Sequence, residues 1–247
     1  MIDTELKLVV PKDKQFPVVE IFGPTIQGEG PDAGRPCLFV RMGGCDYRCS
    51  WCDSLHAVLP AEVRKAPRLT MAQIIVQISR LAMPPNTVVL SGGNPAMHRL
   101  DDLVSGLQRR GYRVAIETQG TKYRSWVGKC DTIVVSPKPP SSGMITNYDV
   151  LENFLSGVPT ERTAIKIVVG DDADYQYARN LRRKYHEYDF YVSVLNPAGS
   201  DGENFDIDII LSGYKRLCEL VANDALMHDV KVLPQLHTLA WGAAQGV

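Results

Sequence analysis

The chain has 247 residues, 45% hydrophobic and 22% charged, a composition that suits one sizeable globular core. A formal net charge of −1 argues against binding nucleic acid through bulk electrostatics. The N-terminal stretch has no long apolar segment, and no run elsewhere approaches the roughly 18 residues of a membrane span. Neither nucleic acid nor membrane is an expected partner, and the cytoplasm is the expected location.

Strand-like and helix-like segments alternate along the sequence. Residues 18–22 and 37–41 carry the β-branched and aromatic residues of strands. Thr70, with Gln73 three positions on, makes a capping box for an amphipathic helix from Met71, which Pro84-Pro85 ends. A short buried strand is predicted over 87–90, then a Gly-Gly turn and a helix over about 95–110. Strands follow over 112–117 and 132–135, a weaker helix over 148–155, and a strand over 165–169. The acidic run Asp171-Asp172-Ala173-Asp174 favours a helix start, and Arg182-Arg183-Lys184 its end. A strand over 190–195, a helix over 207–222 and a strand over 230–233 complete the series.

Short strands alternating with helices imply βαβ crossovers and a largely parallel sheet. About six such units suit an incomplete (β/α)6 barrel in one domain, residues 1–247, because a complete eight-unit barrel takes more chain. Ligands collect beyond the carboxyl ends of parallel strands. Polar and glycine-rich residues fall there repeatedly: Gly43-Gly44-Cys45, Ser91-Gly92-Gly93, Glu117-Thr118-Gln119, Ser136-Pro137-Lys138 and Asn196.

Three of the six cysteines, Cys45, Cys49 and Cys52, stand as C-x3-C-x2-C directly after a predicted strand. Three thiolates so spaced fold around one corner of a tetrahedral arrangement and supply no fourth ligand. An iron–sulfur cube held in this way keeps one iron open to a small chelating molecule. With His56 nearby, the same thiols suit a closed Cys3His zinc site, so a zinc-stabilised binding module is the non-enzymatic alternative. Cys37, Cys130 and Cys218 sit among apolar neighbours and read as packing residues.

The other candidates have plain readings too. Ser91-Gly92-Gly93-Asn94-Pro95 lets backbone approach a ligand, or is only a tight turn. A carboxylate at Glu117 suits ribose hydroxyls, or simply ends a strand in solvent. Gln27, which donates and accepts, and Glu29, which accepts, match the N–H/C=O/NH2 edge of a guanine-like or pterin-like ring; QGEG is also a plausible hairpin turn. Arg41 suits a bidentate pair with a carboxylate.

The cysteine loop, with Trp51 before its third cysteine, resembles that of radical S-adenosylmethionine (SAM) enzymes. Taken with EIFGPTIQGEG, FVRMGGCDYRCSWCDS, SGGNP, ETQGT, SPKPPSS and LPQLHTLAWG, the whole chain resembles the 7-carboxy-7-deazaguanine synthases of queuosine and 7-deazapurine biosynthesis. The resemblance implies a radical SAM barrel that rearranges 6-carboxy-5,6,7,8-tetrahydropterin to 7-carboxy-7-deazaguanine with loss of ammonia, a carbon–nitrogen lyase. It implies a [4Fe–4S] cluster on Cys45, Cys49 and Cys52, SAM as a reusable cofactor, and Mg2+ on the Ser54 hydroxyl. The SAM-derived radical does the chemistry, so no side chain is assigned as catalytic.

SAM contacts are implied for Trp51, Gly93, Glu117, Ser136, Pro137, Lys138 and Asn196. Asn94 departs from the Glu usual in the GGE-type motif, which leaves the SAM contact on the backbone around Gly93. Substrate contacts are implied for Ile26, Gln27, Gly28 and Glu29, for Arg41 and Ser91, and for His237 and Val247. Asp53 is read as a helix cap. A one-electron donor such as flavodoxin or ferredoxin and a homodimer are further implications. Glycyl-radical-activating proteins share the cluster loop and are the enzymatic alternative.

Overall fold

The computed structural model describes residues 14–81, 86–196, 206–242, 244 and 246. Nine strands of these residues form one sheet in the order β3-β1-β2-β4-β5-β6-β7-β8-β9. From β2 (Pro36–Met42) the strands run parallel through β4 (Thr87–Gly92), β5 (Arg113–Thr118), β6 (Thr132–Val135), β7 (Thr163–Val169), β8 (Asp189–Val194) and β9 (Lys231–Leu233). β1 (Gln15–Ile26) pairs antiparallel with β2, and β3 (Arg68–Thr70) antiparallel with β1. The sheet does not close, as the short repeat count predicts.

Six connections join the parallel strands, but they are not six equal βα units. The first carries α1 (Leu55–Val58), α2 (Pro60–Lys65), β3 and α3 (Met71–Ser79); of these only α3 is legible in the sequence. The helix predicted over 95–110 is a 3-10 turn, Pro95–Met97, and a separate α4, Asp101–Gln108. His98 breaks it with extended backbone, and its ring bonds to the Gly43 carbonyl oxygen at 2.9 Å. Between β5 and β6 there is only a 3-10 turn, Val127–Lys129.

Elsewhere the helix ends follow local capping chemistry, as predicted for α3 and for the helix from Asp172. Thr70 and Gln73 form both halves of the capping box on α3, a motif worth about 1 kcal/mol. Asp171 caps α6 (Asp172–Lys184), whose last turn holds Arg182, Arg183 and Lys184. Asp206 caps α7 (Ile207–Ala222), and Asn147 caps α5 (Tyr148–Ser156).

Side chains alternate across each strand, so each strand has an outer and an inner face. Val88, Leu90, Val114, Ile116, Ile133, Val135, Ile165 and Ile167 enter the main core with the helices. On the opposite face Cys37, Phe39, Val89 and Ala115 form a small apolar floor. Two residues further along the same strands, that inner face presents Arg41, Ser91 and Glu117. The same alternation places Lys166 of β7 and Ser193 of β8 there. This polar rim lies toward the carboxyl ends.

Candidate active site at the carboxyl ends of the strands

The cysteine loop leaves β2 and is attached at two places. Near Cys45 it is fastened to the turn after β4: the Gly93 N–H donates to the Met42 carbonyl at 3.0 Å and the Asn94 N–H to the Gly44 carbonyl at 2.8 Å. The approach is so close that a Cβ on Gly93 would lie 2.2 Å from the Gly44 oxygen. Near Cys49 and Cys52 the loop is fastened to residues 141–145. There the Ser50 N–H donates to the Ser142 carbonyl at 2.9 Å, and the Trp51 indole N–H donates to the Ser141 hydroxyl at 2.9 Å. Ser141 in turn donates to the buried Asp174 carboxylate at 2.6 Å. Lys138 lies 5.9 Å from the Trp51 ring and donates to Ser136 at 3.3 Å. Burial pushes the Cys49 thiol up to about 11, with Lys138 acting against it.

All three cysteines are half-buried and unpaired in disulfides. Among the described residues no three His, Cys, Asp or Glu side chains gather closely enough for one metal ion. A zinc site needs four ligands each about 2.3 Å or less from one point, and His56 lies instead 3.5 Å from Glu20. The donor set therefore fits a cluster with one open iron better than a closed zinc. Cys37 and Cys130 are fully buried packing residues, and burial raises the Cys37 thiol to about 12.

The QGEG segment follows β1 as part of the connection to β2, with Gln27 hydrogen-bonded to Arg35 and Gly34 through its backbone. It is a hairpin connection, yet Gln27 and Glu29 are buried. A Cβ on Gly30 would touch Val134 at 3.3 Å, so the segment lies over the inner face of β6. Gln27 donates to Glu117 at 2.9 Å, and Gln235 donates to Glu29 at 2.7 Å. Lys166 forms a close ion pair with the second Glu29 oxygen. Burial opposes the charge on Glu29, but Lys166 and His237 outweigh it and hold the carboxyl at about 2. Burial also opposes the charge on Lys166, and Glu29 and Glu117 overcome it, raising its pKa. Glu117 is raised by burial and by Glu29 against the pull of Lys166.

His237 stands in α8 (Leu236–Trp241), packed so tightly on Gly28 that a Cβ there would lie 2.3 Å from its Nδ1. Asn196 joins this side of the site, donating to Gln235 and, at 3.0 Å, to Thr238. Ile26 ends β1 opposite Pro36. Ser91 is buried with its hydroxyl unpartnered, as are the Ser193 hydroxyl and the Asn196 side-chain oxygen. Unsatisfied buried polar atoms on one face are costly unless a ligand or water meets them. Val247 lies outside the described residues.

Arg41 stands opposite Glu20 in the β1–β2 register and donates to it at 2.5 Å, and to Ser54 at 3.2 Å. Ser54 donates to Asp53 at 2.9 Å. Asp53 is therefore not the helix cap the sequence suggests: α1 starts after Ser54 without a side-chain cap. Lys166, Gln235 and Ser193 were not anticipated. Lys166 has a sequence signal, a lone charge inside the apolar strand TAIKIVV, which marks a buried cation needing a partner.

Residues 39–134 match the Radical SAM superfamily. The 7-carboxy-7-deazaguanine synthase of Bacillus subtilis (strain 168) is 39% identical over 241 residues, 95% of this chain and 99% of the relative. That of Bacillus cereus is 38% identical over 239 residues, 94% and 99% of the two chains. The crystal structure of QueE from Escherichia coli superposes with a TM-score of 0.64 at 24% identity, covering 90% of this chain and 94% of the other, which supports the same fold. With the fold, the cysteine loop and near full-length similarity in agreement, the chain belongs to the 7-carboxy-7-deazaguanine synthase family of radical SAM enzymes.

Proposed function

We infer that the chain converts 6-carboxy-5,6,7,8-tetrahydropterin to 7-carboxy-7-deazaguanine with release of ammonia, using a [4Fe–4S] cluster, SAM and Mg2+. The observation that carries this is the buried Gln27–Glu29–Lys166–Gln235 network on the inner face, facing the same strand ends as the three-cysteine loop. Cys45, Cys49 and Cys52 would hold the cluster and leave one iron for SAM. When bound there, cluster and SAM would supply one-electron reductive chemistry and hydrogen abstraction.

The chain's own residues bind, orient and exclude water. Glu29, ionised by Lys166, accepts N–H bonds from the guanine-like edge of the pterin, and Gln27 complements it with a donor and an acceptor. Arg41 pairs with the substrate carboxylate, and Ser54 supplies a hard oxygen to Mg2+, which retains several waters in such sites. The backbone at Gly93 and the residues Ser136, Pro137, Lys138 and Trp51 line the SAM side. Glu117 and Asn196, tied to Gln27 and Gln235, sit where SAM and substrate contacts meet. His237 on Gly28 closes the substrate side. A one-electron donor such as flavodoxin or ferredoxin, a homodimer and a cytoplasmic location accompany this reading. No helix among the described residues is long and apolar enough to cross a membrane.

The test is substrate selectivity under anaerobic conditions with reconstituted protein. The carboxylated tetrahydropterin is expected to yield a deazaguanine and the same pterin without its carboxylate to yield none. Equal processing of both would remove Arg41 and Mg2+ from substrate recognition.

A further inference from the structure

Asn94 is fully buried, and every hydrogen-bonding position of its amide is used. Its two N–H groups go to the Asp46 carboxylate at 2.9 Å and the Thr121 hydroxyl at 3.1 Å. Its oxygen accepts from the Thr118 hydroxyl at 2.8 Å and the Ala96 N–H at 3.2 Å. Nothing is left for a ligand. Gln119, also buried, sends one N–H to the same Asp46 oxygen at 2.6 Å and the other to the Cys45 sulfur at 3.4 Å.

Cys45 is thus bracketed. The carbonyl of Gly44 before it takes the Asn94 backbone N–H, and the side chain of Asp46 after it takes two amides. Its sulfur takes the second N–H of Gln119 and, also at 3.4 Å, the backbone N–H of Tyr47. Among the described residues no side-chain amide reaches Cys49 or Cys52; Cys52 takes a backbone N–H from Ser54, and their part of the loop is held by residues 141–145.

We propose that Asn94, Asp46 and Gln119 form a clasp that positions Cys45 for the cluster, and that the Gln119 N–H raises the cluster's reduction potential through the Cys45 sulfur, beside the backbone N–H of Tyr47. This rests on Cys45 being a cluster ligand. Hydrogen bonds to the sulfurs stabilise the more negative, reduced cluster and raise its potential. Partners one shell out from a ligand commonly change metal affinity about 10–100-fold. Asn94 and Gln119 are positioning residues, acting through Asp46 and Cys45.

The experiment uses the full chain reconstituted with iron and sulfide. Gln119→Met keeps the bulk and removes both N–H groups. Its midpoint potential, followed by electron paramagnetic resonance during a redox titration, should be more negative than the parent's. Its iron should be lost to a chelator roughly tenfold faster or more. Asn94→Asp places a carboxylate against Asp46 and should cause similar iron loss. Asp46→Asn alone keeps the shared acceptor oxygen without its charge, so its iron loss should lie between the parent's and that of Asn94→Asp. Thermal unfolding of the apoproteins separates cluster effects from misfolding; if Gln119→Met does not fold, the Asn94→Asp and Asp46→Asn pair decides. Parent-like potential and iron loss in a folded Gln119→Met would overturn the proposal, as would parent-like iron loss in a folded Asn94→Asp. A parent chain that takes up no cluster would instead overturn the assignment of Cys45, and the clasp's role with it.

Discussion

Lys166 on β7 and Glu29 before β2 are 137 positions apart and form an ion pair with side chains only 8% and 10% exposed. Removing one partner leaves the other charge buried without compensation, which typically costs about 3–5 kcal/mol. Lys166→Met is therefore expected to lower unfolding stability by that order in urea denaturation. The double variant Lys166→Met/Glu29→Gln should recover part of the loss. If Lys166→Met alone costs less than about 1 kcal/mol, well below the buried-pair range, the pair is not as dry as its exposure indicates.

The same pair makes a pH prediction. Glu29 falls from the usual 4.5 to about 2 in the folded state, so its contribution is present above 4.5 and is lost as pH drops through that window. Lys166 is raised above 10.5, so its contribution is present below 10.5 and is lost as pH rises through the higher folded value. The pair's own contribution should plateau between these limits, while that of Glu117, raised in the fold, is present below 4.5 and is lost as pH rises through its higher folded value. Urea midpoints against pH should show an acid limb that Glu29→Gln flattens; an unchanged limb would assign it to other carboxylates.

Much of this was legible in the sequence because strand and helix periods differ. The parallel strands, the Thr70–Gln73 cap and the charged ends of α6 all follow from local chemistry. The break at His98 was not legible, because it depends on a bond to the distant Gly43 carbonyl. Nor were α1 and α2, a stretch of weak periodicity that meets the start of the cysteine loop through Ala57 at Gly44 and Val63 at Gly43. The cysteines and QGEG stood out as motifs. Lys166 is marked as a lone charge in an apolar strand, but its partner Glu29 and the part of Gln235 become visible only when β7 and the segment before α8 are brought together.

Two glycines test close approach directly. Gly93→Ala would place its Cβ 2.2 Å from the Gly44 oxygen and 3.0 Å from the Cys45 Cβ. Iron uptake should fall although every cysteine remains. Gly28→Ala would meet His237 Nδ1 at 2.3 Å, so pterin affinity should weaken while iron content and SAM binding persist. The reverse pattern, iron lost at position 28 and kept at 93, would contradict the assignment of the two sides.

Arg41 reaches both Glu20 and Ser54. Arg41→Lys keeps the charge and loses the planar fork, removing a charge-assisted hydrogen bond worth roughly 1.5–3 kcal/mol. Substrate affinity should fall by about that amount with SAM affinity little changed, measured by equilibrium binding. Equal losses for both ligands would place Arg41 in the scaffold.

Ser54 carries the metal prediction. Ser54→Ala should lower turnover and respond poorly to added Mg2+, while Ser54→Thr, which keeps the oxygen, stays active. Ser54→Cys should favour Mn2+ or Zn2+ over Mg2+. A metal titration of steady-state turnover reads all three, and parent-like Mg2+ dependence in Ser54→Ala would make it a loop residue only.

The most direct measurement is anaerobic turnover by the reconstituted chain, supplied with SAM, Mg2+, a reductant and 6-carboxy-5,6,7,8-tetrahydropterin, with products followed by mass spectrometry. The predicted result is 7-carboxy-7-deazaguanine and one ammonia per pterin consumed, with SAM regenerated over many turnovers, and no product from a Cys45→Ala protein. Cleavage of SAM by a cluster-loaded protein that leaves the pterin untouched would contradict the account and favour an activating enzyme that acts on another protein.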